Sequence, residues 1–191
     1  MRYKLITCEI IYREICAVVS RSVHPIDIEF LPKRLHDIGR DRMLQTLREA
    51  LDRVDESRYD AILLGYGLCN NGVVGLSART IPIVIPRAHD CITFFLGNKE
   101  AYNTYFHQHP GTYYLTTGWI ERGSDSPSDD GARIQNQCGM TLQYEELVRK
   151  YGEDNAKYLM EELCNLTRNY SQITYIEMGV EPDDRFEQKA R

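Results

Sequence analysis

Short apolar runs that alternate with amphipathic stretches predict an α/β fold, a Rossmann-like, doubly wound and mostly parallel sheet with helices on both faces. Two observations carry this expectation. The runs at 3–7 (YKLIT), 59–65 (YDAILLG) and 81–85 (IPIVI) are nearly continuous in apolar residues, as strands covered on both faces are. The segments that alternate with them place apolar residues at helical spacing, with charges on the opposite side.

Taken in order, residues 3–7 run straight into Cys8, and Ile11, Ile15, Val18 and Val19 then follow at helical spacing against Glu9, Arg13 and Glu14. Residues 26–31 (IDIEFL) alternate like a strand with one solvated face, and Pro32 stops them. The clearest helix spans 40–55, with the stripe Met43, Leu44, Leu47, Leu51 and Val54. The run at 59–65 opens into a glycine-rich loop at 66–72, and 81–85 reads as a third buried run that Pro86 ends. Asp90 suits the N-cap of a helix that starts near Cys91. A helix at 99–107 stops before Pro110-Gly111, and 112–116 (TYYLT) is the next strand. Residues 124–131 (SDSPSDDG) form a polar, flexible break within a loop near 123–132. Helices at 142–151 and 153–167 follow, then a strand at 173–178 (ITYIEM). The last residues, 183–191, look like the first turns of a helix, so the C-terminus reads as truncated. No repeat or low-complexity tract interrupts what reads as a single domain over 1–191.

The chain has 191 residues, 42% hydrophobic and 27% charged, which excludes disordered and collagen-like classes. Lys+Arg 23 against Asp+Glu 28 gives net −5, a poor balance for nucleic acid or an anionic membrane surface. Glu9, Arg13 and Glu14 break the N-terminal apolar stretch, so no secretory leader is visible and a cytoplasmic location is expected. Thiols stay reduced there, and the six cysteines read as buried hydrophobes, metal ligands or reactive groups rather than a disulfide framework.

In doubly wound folds ligands bind outside the carboxyl ends of the strands, and three cysteines fall at that edge: Cys8, Cys69 and Cys91. Soft thiolates select zinc, copper(I) or iron–sulfur clusters. Three without a fourth suit a [4Fe–4S] cluster with one open iron, or a zinc whose fourth position is water or His89. Cys8 and Cys91 sit near predicted helix N-termini, where the dipole favours thiolate. The competing view of any of them is a small buried hydrophobe, which suits Cys16 and Cys164 best and leaves Cys138 unassigned.

The candidate catalytic residues at the same edge are Tyr66, Arg87, His89 and Asp90. Arg87 would neutralise an anionic cluster or substrate. His89 and Asp90 are either an acid–base pair or a capped helix start beside a hydrogen-bonded histidine. Gly67, Asn70, Asn71 and Gly72 are candidate cofactor contacts, with glycines that permit positive φ and close approach to a bulky ligand. The loop has a G-x-G but lacks the third glycine and the Walker Gly-Lys-Ser/Thr, so a nucleotide is a weaker expectation. His36-Asp37 suits capping before Gly39, His107 and His109 flank a helix end, and Trp119 either packs the core or walls the crevice.

The segments CEIIYREIC, LHDIG, YDAILLGYGLCNNGVVGL, IPRAHDCITFFLG and PGTYYLTTGWIERG together resemble the family catalogued as domain of unknown function 1638. The likeness covers most of residues 1–123 and resumes less distinctly beyond. Members look like proteins of anaerobic archaea and bacteria, often associated with corrinoid-dependent methyl transfer. The resemblance implies that Cys8, Cys69, Cys91, His89 and Asp90 belong to the family pattern, and similar proteins look longer at the C-terminus. The leading expectation is an iron–sulfur protein with a three-cysteine [4Fe–4S] site open to a small-molecule substrate or ligand. The alternatives are a corrinoid-associated accessory protein without a cluster, although the Asp-x-His-x-x-Gly signature is missing, and a zinc-thiolate methyltransferase. The expected partners are the small molecule, corrinoid or methyltransferase proteins and a second copy in a homodimer.

Overall fold

A computed structural model describes residues 1–33, 35, 39–69, 71–122, 144–162 and 170–191. The first strand, β1 (Tyr3–Cys8), lies inside the main sheet because its apolar run can be covered on both faces. It pairs in parallel with β2 (Ile26–Leu31) from Tyr3↔Ile26 to Cys8↔Leu31, and with β3 (Ala61–Gly65) from Tyr3↔Ala61 to Thr7↔Gly65. Leu5, Ile6, Thr7 and Cys8 are all buried, whereas β2, an edge strand, stays half-buried until Leu31. A two-residue β4 (Ile83–Val84) completes a four-stranded parallel sheet in the order β2-β1-β3-β4.

The core sits on the face that carries Ile6, Ile62 and Leu64, against Met43, Leu47, Ala50 and Leu51 of α2 (Arg40–Asp52). The α2 stripe matches the sequence expectation, but the helix ends at Asp52 and Val54 is buried beyond its end. Before it, a 3-10 turn (Glu9–Ile11) leads into α1 (Tyr12–Val19), which has no fully buried residue. Val18, expected on the inner stripe, is 67% exposed in the last turn of α1, while Ile15 of the same helix packs against the core.

Two further expectations need correction. The run at 81–85 is not a buried strand: only Ile83 and Val84 pair, and Val84 is 51% exposed. Pro82 and Pro86 flank that pair and have no N–H to donate, which suits a short sheet edge. Beyond α3 (Cys91–Phe95) and α4 (Lys99–Gln108), strand β5 (Thr112–Leu115) does not extend the main sheet. It forms a separate parallel pair with β6 (Gln172–Tyr175), and a hydrogen bond of 2.9 Å between the Tyr105 and Thr174 hydroxyls ties α4 to β6. Between them lie α5 (Thr117–Glu121), α6 (Tyr144–Tyr151) and α7 (Glu153–Glu162), and α8 (Arg185–Ala190) buries Phe186. The expected loop near 123–132, Cys138, Cys164, His36 and Asp37 lie outside the described residues.

Gly118, in α5, crosses the 3-10 turn so closely that a β-carbon would strike the Ile10 carbonyl oxygen and stand 2.7 Å from its carbon. Gly118→Ala is expected to lower stability by about 1–3 kcal/mol through overpacking, read as a fall in the urea midpoint at unchanged slope.

Candidate functional site

The strand order reverses direction between β1 and β3, and at such a switch point the connections leave on opposite sides and open a crevice at the carboxyl ends. Cys8 is the last residue of β1, and Tyr66 to Cys69 follow the end of β3. The segment after β4 is drawn to them by two backbone hydrogen bonds, Leu68 N to Ala88 O at 2.9 Å and Cys69 N to His89 O at 3.0 Å. Gly67 allows this approach: a β-carbon there would stand 2.8 Å from the Asp90 backbone and 3.1 Å from Ala88 O. Asp90 then starts α3, its Oδ1 accepting from Ile92 N at 3.0 Å and Thr93 N at 3.4 Å, which sets Cys91 as the first helical residue.

The glycines do not serve the purpose expected of them. Neither Gly67 nor Gly72 has positive φ; among the loop's described residues the left-handed ones are Cys69 (φ 40) and Asn71 (φ 59). Gly72 makes room for Met43, whose Cγ would lie 2.6 Å from a β-carbon, and its N–H bonds back to Leu68 O and Cys69 O. A non-glycine held left-handed is uncommon and costs energy, and such residues concentrate at functional sites. Asn70 lies outside the described residues.

Cys8, Cys69 and Cys91 line one cavity, together with Tyr66, Met43 and Phe94. Its open volume is about 20 Å³, room for one water-sized body. Burial pushes the Cys8 thiol up to about 12 and Cys69 to about 11, and holds Cys91 well above the ordinary thiol value. A smaller rise comes from the thiols themselves, Cys69 acting on Cys8, and both acting on Cys91. Desolvation therefore outweighs the helix-terminus effect that the sequence suggested. No Lys, Arg or His is among the described residues of the lining, so none of these supplies a cation to hold a thiolate. Tyr66 is 3% exposed, its hydroxyl has no hydrogen-bond partner among the described residues, and burial keeps it protonated. Among the described residues no three His, Cys, Asp or Glu close around a single metal-sized point.

Arg87 and His89 stand outside this cavity, on a larger crevice of about 1010 Å³, with Phe94 common to both linings. His89 Nδ1 lies 2.8 Å from Asp90 Oδ2, so Asp90 caps the helix with one oxygen and holds the histidine with the other. The His89 ring stacks on Tyr102 at 6.0 Å, and the Tyr102 hydroxyl reaches Asp90 Oδ2 at 3.5 Å. Burial, and then the Asp90 charge, push Tyr102 up to about 12. Tyr102 and Phe94 escaped the sequence reading; Phe94 lies three residues after Cys91, a helical spacing that puts both on one face. Trp119 packs against the core from α5 and lines neither space, and Cys16, half-buried on α1, is also apart. His107 bonds the Asn103 carbonyl through Nδ1, and His109 lies against Tyr105.

Gly67→Ala is expected to part the two loops, lowering the melting temperature and raising the reactivity of Cys69 and Cys91 towards a disulfide reagent. The raised thiols also fix a pH dependence. Each buried thiol keeps its proton in the folded chain above pH 9, where the unfolded chain has released it, so the folded state binds more protons and stability falls as pH rises. In metal-free protein the loss begins near pH 9 and runs to about 12, and Cys8→Ala is expected to flatten the curve of urea midpoint against pH.

Among the described residues no helix is long and apolar enough to cross a membrane. Comparison with curated proteins and with solved structures gives no match. The profile of the family described as protein of unknown function (DUF1638) matches residues 30–191, a span that holds Tyr66, Cys69, His89, Asp90 and Cys91 and begins after Cys8. With most of its length matched, the chain belongs to the DUF1638 family.

Proposed function

We propose that the chain binds a [4Fe–4S] cluster through Cys8, Cys69 and Cys91, in a doubly wound domain working in a reducing, cytoplasmic setting. The observation that carries this is the convergence of three thiols, from the end of β1, the loop after β3 and the start of α3, on one cavity with no cation in its described lining. Such thiols are either inert or await a metal, which removes the proton outright and supplies the missing positive charge. The strand order β2-β1-β3-β4 agrees with the first four strands of the flavodoxin-like doubly wound order, whose ligand sits at the β1/β3 switch point.

Three cysteine thiols are the donor type that such a cluster takes. One zinc draws every sulfur to about 2.3 Å from a single centre, whereas a cluster gives each thiolate its own iron. The cluster, once bound, would supply an open iron for a small ligand. The chain's own part is to exclude water with Phe94, Met43 and Ile10, and to offer the Tyr66 hydroxyl, kept protonated by burial, as a donor. Room is about 20 Å³ as the loops stand, so a cluster would need the lining to open. That small volume favours a second reading, a zinc ion on the same thiols with a methyl-transfer role.

Protein purified without oxygen is expected to be brown and to carry about four irons and four sulfides per chain, with Cys8→Ser, Cys69→Ser or Cys91→Ser each lowering both. Stoichiometric zinc without sulfide would replace the cluster by the second reading. A colourless, metal-free protein, unchanged when all three cysteines are replaced, would remove both, and corrinoid absorbance on reconstitution would favour the accessory-protein alternative.

A further inference from the structure

The crevice on the outer side of Phe94 has a volume of about 1010 Å³, at the upper end of small-molecule sites. One part of its lining is apolar, with Leu68, Val73 and Ile85; the other is polar and includes Arg87, Lys99 and Tyr102. About half of the described lysines and arginines meet a carboxylate; Arg2 meets Asp27, Arg13 meets Glu121, Arg53 meets Glu29, Arg79 meets Glu56 and Arg122 meets Glu9. Acidic residues are in excess, at 28 to 23, so partners for cations are plentiful. Arg87 and Lys99 are exposed and make no ion pair or side-chain hydrogen bond among the described residues, and what sets them apart is that both line this one crevice. Glu100 is the one acidic residue of the described lining, and Asp90 is engaged by His89 and the α3 backbone, so the crevice keeps a positive formal balance.

We propose that this crevice is the binding site of an organic carboxylate of metabolite size, its charge met by Arg87 and Lys99 and its apolar body lying on Leu68, Val73 and Ile85. Neither the crevice nor its cations involve the thiols, so the site stands whether or not a metal occupies the inner cavity. Arg87 offers a planar fork that matches a carboxylate, and Lys99 adds a second charge from the first turn of α4. A phosphate is the poorer match, since the neighbouring loop lacks the Walker Gly-Lys-Ser/Thr.

The probe is 1-naphthoate, compared with 1-naphthamide, which has the same shape and no charge. Titrated into metal-free protein and followed by amide NMR, 1-naphthoate is expected to shift signals at 68–73 and 85–103. The amide is expected to bind about tenfold more weakly or worse, since a charge-assisted bond is lost. Arg87→Ala combined with Lys99→Ala is expected to abolish the difference between the two compounds without moving the urea midpoint. Equal binding of acid and amide to the unaltered chain, shifts centred elsewhere, or no shifts at millimolar probe would overturn the site. These outcomes are read without iron, sulfide or zinc, so they fail or succeed separately from the cluster.

Discussion

The carboxyl edge of the main sheet depends on one close approach, the passage of the Tyr66–Cys69 segment against Ala88–Asp90. Two backbone hydrogen bonds, Leu68 N to Ala88 O and Cys69 N to His89 O, hold the segments together, and Gly67 is the residue without which their backbones would collide. The rest follows from that contact. Cys69 is brought beside Cys91, Asp90 is placed to cap α3, and His89 is turned outward to lie on Tyr102. Opposite them β1 delivers Cys8 from the centre of the sheet, where its register with β2 and β3 leaves no freedom to shift.

That arrangement separates two chemistries that are neighbours in sequence. Inward, the thiols and the Tyr66 hydroxyl sit in a small space with no cation among its described lining residues, where desolvation holds their protons in place. Outward, four residues before Cys91, Arg87 opens onto a roomy crevice with Lys99 and His89. Phe94 is the wall between them. A thiolate in the inner space needs a charge from outside the protein, and an anion in the outer one finds it ready.

Much of the framework was legible from the pattern of residues. The continuous apolar runs gave away β1 and β3, the alternation at 26–31 gave β2, and the stripe from Met43 to Leu51 gave α2, because burial on two faces, one face or one helical side each leaves its own period. The cap at Asp90 was legible for the same local reason. The shortness of β4 was signalled by Pro82 and Pro86, but a window of apolar residues conceals an edge that lacks donors. The pairing of β5 with β6 was not legible, since the partners lie about sixty residues apart and no local pattern records them.

The gathering of Cys8, Cys69 and Cys91 shows the same division. Composition and order along the chain determined that three thiols end up at strand ends, because strand ends are set by local apolar runs. Only the tertiary structure decided that they line one cavity, that Gly67 serves a backbone crossing rather than a ligand, and that Arg87 faces a different space from the thiols. Ionisation was decided there too: a helix start, visible in sequence, favours thiolate, while burial, which is not, reverses it. The physical reason is range: propensity, capping and periodicity act within a few residues, whereas desolvation and backbone contact depend on segments that only the fold brings together.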